Sequence, residues 1–322
     1  MKGQLKRFLI ALLAGSMVFT CAACGNKTEE TVATNTETVA ETESETESET
    51  ETAPVRVAAD QEIVNILLVG QDRRMNDSEK QRSDSMILVT LNRRSNTIDL
   101  TSFMRDTYVE IPGWGSNRLN AAYVFGGEEL MNETFAHNFG VNIDGNVEVD
   151  FYDFVTIIDK LGGVDIDVKE EEISVLNDYV RETSQQLNEN PEDNYVTEAG
   201  MQHLNGIQTL SYCRIRYVGR GDFERTERQR KVLQELFNNT KEMDSLELMN
   251  ILNDTFELLN TNMSDSDLLN LMVEAVMMDV DSFGNHNIPE DAGYSSQSVD
   301  GMSVLVPDLE ACRALIQEIM NK

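Results

Sequence analysis

Basic side chains are scarce in this chain of 322 residues: 26 Lys and Arg stand against 57 Asp and Glu, for a net charge of −31. A protein that grips a nucleic-acid duplex needs a basic face to displace counterions from phosphate, so the balance argues against nucleic acid as a partner. It also disfavours direct adhesion to an anionic membrane surface. Histidine is almost missing, with only His137, His203 and His286, in unrelated contexts. There is no His-Glu-x-x-His zinc site, no Gly-x-Ser-x-Gly elbow and no Gly-rich loop ending in Gly-Lys-Ser/Thr. The familiar zinc-hydrolase, serine-hydrolase and nucleotide-driven chemistries therefore lack their tools. Cysteine is sparse too. Cys21 and Cys24 form a C-x-x-C pair, but at the end of an apolar N-terminal run, where a redox or zinc reading is weak. Cys213 and Cys312 are far apart in sequence and are expected as two buried thiols rather than a bridge.

What is present at the N-terminus is an export pattern. Lys2, Lys6 and Arg7 precede the apolar stretch Phe8 to Thr20, followed by Cys-Ala-Ala-Cys. The stretch is short of the roughly twenty residues of a membrane span. Ala22-Ala23-Cys24 resembles a lipoprotein cleavage box in which Cys24 becomes the lipidated first residue, although Cys21 stands where Leu is usual. An uncleaved single-span anchor is the alternative. Both readings place the main domain at the outer face of the cell membrane. Residues 25–60 are rich in Thr, Glu and Ser and carry almost no large apolar side chains. Such a segment cannot bury enough surface to offset chain entropy, and its like charges extend it into a tether. The organisation is thus a signal or lipoprotein segment at 1–24, an acidic linker at 25–60 and a folded domain at 61–322.

Within the domain, Ile63 to Val69 is a nearly continuous apolar run, as expected of a strand buried on both faces. Met86 to Leu91 and Thr97 to Phe103 read as strands joined by a short polar hairpin, and Tyr108 to Ile111 as an extension of the same sheet. Val147 to Val149 and Val164 to Val168 are further strands, with helix Phe151 to Leu161 between them, stopped at Gly162-Gly163. Helical spacing recurs over 205–214, 224–240, 245–260 and 264–278, the last opened by capping-type residues. A late strand at 303–306 and a helix at 308–320 close the chain. The mixture predicts an α/β three-layer sandwich: a mixed central sheet flanked by helices.

Arginine carries the functional signal. Arg214, Arg216, Arg220, Arg225, Arg228, Arg230 and Lys231 crowd one segment of an acidic chain. On a helix, Arg225, Arg228 and Gln229 can share a face, while the spacing of Arg214 and Arg216 suits an extended stretch in which both point the same way. Guanidinium forks match phosphate oxygens in pairs. Asp72, Arg73 and Arg74 follow the first strand, Arg82 and Asp84 flank the second, and Arg105 and Asp106 end the third. Charges at strand ends line ligand sites in α/β folds, and two aspartates with phosphate oxygens suit Mg²⁺. The bland reading is that Asp72 and Asp84 neutralise neighbouring arginines. For Arg220, Arg230 and Lys231 a solvated helix surface paired with surplus Glu is the better expectation.

These blocks resemble the LytR-CpsA-Psr family over roughly residues 62–235. They comprise Asn65 to Arg74, Arg82-Ser83-Asp84-Ser85-Met86, Arg105-Asp106-Thr107-Tyr108-Val109, Arg118-Leu119-Asn120-Ala121-Ala122-Tyr123, Leu161-Gly162-Gly163-Val164, Leu204-Asn205-Gly206, and Arg214-x-Arg216 followed by Arg225-Thr226-Glu227-Arg228-Gln229. The resemblance implies a phosphotransferase that takes undecaprenyl-pyrophosphate-linked glycopolymers, usually teichoic acids or capsular polysaccharides, and joins them to peptidoglycan. By analogy Asp72 and Asp84 hold Mg²⁺. Arg105, Asp106, Arg214 and Arg216 are the expected catalytic group, and Arg74, Arg82, Arg118, Arg225, Arg228 and Gln229 surround the substrate. Asp106, beside Arg105, is expected to orient an arginine or a metal-bound water rather than to act as a base. The chain departs from the pattern at Met104, Arg118, Tyr217 and Arg230, where Pro, Lys, His and Gln are usual. Two alternative functions are a lipid-pyrophosphate pyrophosphatase and a non-catalytic polyprenyl-phosphate-binding envelope protein.

Overall fold

The computed structural model describes residues 57–58, 61–71, 83–278, 280, 282–290 and 292–322. The signal segment, nearly all of the linker, Cys24, and the connection carrying Asp72, Arg74 and Arg82 lie outside the described residues. In chain order the elements are β1 (Ile63–Gln71), β2 (Ser83–Asn92), β3 (Thr97–Phe103), β4 (Tyr108–Ile111), β5 (Gly115–Arg118), α1 (Ala121–Phe139), β6 (Gly145–Asp150), α2 (Phe151–Lys160), β7 (Val164–Val168), α3 (Glu170–Gln186), β8 (Gly200–Leu204), α4 (Gly206–Arg214), α5 (Asp222–Glu242), α6 (Ser245–Thr255), β9 (Asn260–Thr261), α7 (Asp265–Met277), β10 (Gly284–Ile288), β11 (Tyr294–Val299), β12 (Met302–Pro307) and α8 (Leu309–Met320).

The central sheet has the order β10-β3-β2-β1-β6-β9. β1, β2 and β3 form an antiparallel meander, whereas β6 joins β1, and β10 joins β3, in parallel. The apolar runs of β1 and β2 make sense because both faces are covered. On one face Leu67, Val69, Met86, Leu88 and Phe103 pack with Met131, Phe135 and Phe139 of α1 and with Cys312 and Ile316 of α8. On the other, Val64, Ile66, Leu91, Ile98 and Val147 meet Leu268 and Leu271 of α7, with Phe237 of α5 against them. This is the expected mixed sheet flanked by helices. A third apolar cluster joins the β7–β8 ribbon to α2, α3, α4 and α5. Among the described residues no helix is long and apolar enough to cross a membrane.

One strand expectation is corrected. β4 does not extend the central sheet but folds back on β5 through a turn in which Gly113 and Gly115 both take positive φ. β7 and β12 form as expected, in two separate ribbons, paired with β8 and β11. Helix α6 stops at Thr255, short of the expected Asn260, and gives way to a 3₁₀ turn at Phe256–Leu258. Helices α1 and α3 have no counterpart in the sequence reading. α1 is interrupted by Gly126 and Gly127, whose φ/ψ are not helical, and such glycines read as breakers. α3 opens with Glu170, Glu171 and Glu172 and buries only a narrow stripe around Leu176 and Val180. Cys213 and Cys312 are buried free thiols in separate clusters, and burial pushes their pKa up to about 12 and about 11.

The C-terminus is tied down by a buried acid. Asp99 of β3 accepts from Lys322 Nζ at 2.6 Å and contacts His286 Nε2 at 2.9 Å. Burial opposes its charge, but these two partners outweigh burial and hold its pKa below the ordinary carboxylate value. A depressed folded-state pKa stabilises the fold above the unfolded value of about 4 and loses that contribution as pH falls through the folded value. Thermal melts should therefore show Asp99→Asn clearly less stable than wild type at pH 7. The gap should narrow below about pH 4; a gap that widens on acidification would rule this reading out.

Candidate functional site

A cavity of about 300 Å³ opens between the face of the sheet that bears Leu68 and Ile87 and helices α2, α4 and α5. Its walls are Leu68, Ile87, Val147 and Val149 from the strands and Phe151, Phe154, Leu210, Val232 and Leu233 from the helices. Local sequence explains the α2 wall. β6 runs directly into α2, because Asp150 caps the helix by accepting from Tyr152 N and Asp153 N, each at 2.9 Å. The capping oxygen satisfies backbone donors that the first turn leaves open. α2 then lays Phe151 and Phe154 along the cavity.

The polar residues of the cavity are grouped: Asp84, Ser85, Arg105, Arg214, Arg216, Arg225 and Gln229 all line it. They come from the β2 start, the residues after β3, the α4 terminus, the α4–α5 loop and α5. Arg105 Nη1 donates to Asp84 Oδ1 at 2.5 Å. Arg225 Nη2 donates to the Asp84 carbonyl at 3.0 Å and to Asp222 Oδ2 at 3.2 Å. Ser85 Oγ donates to Gln229 Oε1 at 3.0 Å, and Gln229 Nε2 reaches the Cys213 carbonyl at 3.4 Å. Arg214 sits in an aromatic clamp, its guanidinium 5.2 Å from the Phe151 ring centre and 4.8 Å from that of Tyr179, with Glu182 at 3.1 Å. Arg214 is the last residue of α4, not part of an extended stretch as its spacing with Arg216 had implied; the turn after it brings both side chains to the cavity.

Asp222, the first residue of α5, is the organising carboxylate that the sequence reading passed over. It lies 3.4 Å from Arg105 Nε, 2.8 Å from Arg216 Nε and 3.2 Å from Arg225 Nη2. Its only sequence signal is position: a helix-opening acid three residues before Arg225. Asp106 pairs on one side with Arg105 at 3.8 Å and on the other with Arg118 Nε at 3.3 Å, while Arg118 also donates to the Ser303 carbonyl at 2.7 Å. Neither Asp106 nor Arg118 lines the cavity; they form its outer margin. Several of these contacts are ion pairs without hydrogen-bond alignment, since Arg105 Nε, Arg118 Nε, Arg225 Nε and Asp222 Oδ1 are buried with no hydrogen-bond partner. Burial works against the Arg105 charge, but Asp222, Asp84 and Asp106 outweigh it and raise its pKa. For Arg225 burial wins, with help from Arg105, and its pKa is lowered despite Asp222. The cluster is therefore cation-rich, dry on one side and incompletely saturated.

Arg228 does not join it. Its guanidinium is buried against Glu172 at 2.8 Å, Glu224 at 3.2 Å and the Ile215 carbonyl at 3.2 Å. One helical turn cannot put Arg225, Arg228 and Gln229 on the cavity together once Glu172 of α3 offers Arg228 a buried partner. Arg230 also departs from expectation. It is buried, donating to Ser102 Oγ at 2.6 Å and Asn287 Oδ1 at 2.8 Å, and burial lowers its pKa to about 10. Arg220 stays on the surface, 3.8 Å from Glu227.

Comparisons with known proteins bear on the family and the fold. The profile of the LytR_cpsA_psr family matches residues 26–321. A Bacillus cereus protein named polyisoprenyl-teichoic acid–peptidoglycan teichoic acid transferase TagU is 40% identical over 187 residues, which cover 58% of this chain and 55% of that protein. The Bacillus subtilis protein of the same description, TagT, is 30% identical over 211 residues, covering 64% and 62%. The matched region thus spans little more than half the length of these relatives. Among solved structures, Bacillus subtilis TagV superposes with a TM-score of 0.64 at 26% identity, covering 81% of this chain and 98% of that one. TagT bound to LIIa-WTA gives 0.67 at 22% identity, covering 84% and 97%, a likeness of fold.

Proposed function

The chain belongs to the LytR_cpsA_psr family, and from that premise we propose that it transfers a glycan phosphate from a polyprenyl-pyrophosphate-linked glycopolymer, the undecaprenyl carrier by the family's analogy, to a hydroxyl of peptidoglycan. The supporting observation is a single one: an apolar cavity that ends in a cluster of guanidiniums. A prenyl chain fits the wall of Leu68, Val149, Phe154 and Val232, and a pyrophosphate fits the arginines. Names of relatives point the same way, since TagU and TagT are described as teichoic acid transferases. The domain then works at the outer face of the membrane, held there by the N-terminal segment.

In the reaction the acceptor hydroxyl oxygen bonds to the glycan-side phosphorus as its O–H bond breaks, the bridging P–O bond breaks, and prenyl phosphate leaves, the proton passing to it directly or through water. Phosphoryl transfer asks for positioning and charge stabilisation more than covalent help. Arg214, held flat by Phe151 and Tyr179, and Arg216, held by Asp222, face the charge that grows on the leaving phosphate. Arg105 and Arg225 bind the non-bridging oxygens. Asp106 aligns Arg105 and Arg118 at the side where an acceptor enters. Magnesium is part of the proposal. Asp84 is a third exposed and commits Oδ1 to Arg105, and among the described residues no group of three or more acidic, His or Cys side chains gathers as a metal site. With Asp72, which joins it only by the family's analogy, Asp84 would suit an ion that takes one or two carboxylates and leaves other positions to phosphate. When bound, it neutralises phosphate charge.

The test is incubation of the full chain with purified peptidoglycan and a short lipid-pyrophosphate oligosaccharide, with and without Mg²⁺. The expected product is phosphodiester-linked peptidoglycan, formed only with Mg²⁺. Arg214→Ala and Arg216→Ala are each expected to abolish transfer without changing the circular-dichroism spectrum. Free sugar phosphate as the sole product would assign a pyrophosphatase. Lipid copurification without turnover would assign a carrier-binding protein.

A further inference from the structure

Trp114 is the only tryptophan of the chain, and it is 60% exposed. It stands at the tip of the β4–β5 hairpin, flanked by Gly113 and Gly115. The turn is closed by Trp114 N–H donating to the Ile111 carbonyl at 2.9 Å. The indole does not swing freely. Its ring stacks on Phe125 with centres 4.6 Å apart and planes 15° from parallel. Phe125 is itself set by a break in α1, because the next two residues, Gly126 and Gly127, leave helical geometry. One face of the indole is thus fixed by protein and the other looks outward, with Val124 exposed nearby in sequence. A large aromatic held rigid on one side offers contact area at little entropic cost.

The hairpin links this ring to the active cluster. Its far end is Arg118, paired across the ribbon with Tyr108, and Arg118 reaches Asp106, which reaches Arg105. From Arg118 to Trp114 the strand spans roughly 13 Å. Between them Ser116 is exposed and Asn117, on the opposite side of the strand, is half-buried with its Oδ1 accepting from Arg118 N at 2.8 Å; both are neutral and polar, and the nearby Glu110 is paired with His137. Neutral hydroxyl and amide groups beside a flat aromatic are the recognition chemistry of sugar rings, whose C–H faces stack on indole. The strongly acidic chain offers little to an anionic lipid surface.

We infer that Trp114 and the β4–β5 hairpin form a carbohydrate subsite that seats the acceptor glycan strand, several sugar units from the hydroxyl that receives phosphate. This rests on the transfer reading above. It adds a contact remote from the chemistry that holds the acceptor equally in ground and transition states, and so acts on its KM.

A lone tryptophan makes the test direct. The full chain in detergent is titrated with muramidase-released peptidoglycan glycan fragments while tryptophan fluorescence is followed. A saturable spectral change is expected, absent when the short lipid-pyrophosphate oligosaccharide is added alone. Trp114→Ala should raise the KM for acceptor about tenfold with kcat for saturating acceptor unchanged, whereas Trp114→Phe, which keeps a ring, should recover most of the loss. The subsite is overturned if fluorescence stays constant at glycan concentrations that saturate transfer, or if Trp114→Ala leaves acceptor KM unchanged. A fluorescence change produced by anionic phospholipid vesicles or by raising protein concentration, and not by glycan, reassigns the ring to a membrane or to a second copy and also overturns it. Because glycan binding is read by fluorescence without turnover, failure of the transferase reading would show separately, as glycan binding without product.

Discussion

Replacing Asp222 with alanine is expected to lower transfer about 10²–10³-fold while leaving lipid-pyrophosphate binding intact or tighter. Asp222 touches Arg105, Arg216 and Arg225 at once, at 2.8–3.4 Å. Those guanidiniums come from the end of β3, from the α4–α5 loop and from α5, so no local structure fixes them relative to one another. Removing the shared carboxylate leaves their charges facing each other, and they spread apart. A pyrophosphate still meets three cations, so affinity survives, but the donors no longer match the charge that develops as the bridging bond breaks. Single-turnover rates at saturating donor, set beside equilibrium binding of the lipid pyrophosphate, separate the two effects. Asp222→Asn, which keeps the shape but not the charge, should fall between. Wild-type turnover by the alanine variant would mean that the arginines are positioned by something other than Asp222.

Arg228→Ala should act on stability instead. Arg228 and Glu172 are 5% and 2% exposed and lie 2.8 Å apart. Truncating one member leaves a buried carboxylate without its counter-ion, which costs about 3–5 kcal/mol and lowers the melting temperature by roughly 10 °C in a domain of this size. Replacing both with apolar residues, Arg228→Met with Glu172→Leu, should restore much of the loss, because a buried ion pair is often matched by packed hydrophobic side chains. The repaired protein should transfer normally, since Arg228 does not reach the cavity. If Arg228→Ala instead loses transfer at an unchanged melting temperature, the residue contacts substrate after all and its burial against Glu172 is not what matters.

Asp222 and Arg228 show where the sequence is legible and where it is not. Strands β1, β2 and β3 and helices α2, α5 and α7 follow from periodicity and capping, because those signals lie within a few neighbouring residues. The expected Ser264 cap does form, accepting from Asp267 N, and Asp308, read as the start of the closing helix, proves to be its cap, accepting from Glu310 N and Ala311 N. Helix α1 escapes the same reasoning because Gly126 and Gly127 break its pattern, yet a helix survives around them once Met131, Phe135 and Phe139 find the sheet. Of the cavity-facing arginines, Arg214, Arg216 and Arg225 could be nominated by their crowding in an acidic chain, and Arg105 by its place at a strand end. Which of the crowd face the cavity could not.

The sequence by itself determined the central strands β1, β2, β3 and β6, though not the sheet's edges β9 and β10, the family, and the kind of chemistry that many guanidiniums with few histidines permit. These are properties of composition and of neighbours along the chain. Tertiary structure decided that β4 stays out of the central sheet, that Arg228 is spent on Glu172, that Arg230 is buried against Ser102 and Asn287, and that Asp222 gathers three arginines. The reason is physical. Whether an arginine binds a guest or a carboxylate depends on what lies within about 4 Å of its guanidinium, and in this fold that partner comes from a distant stretch of chain.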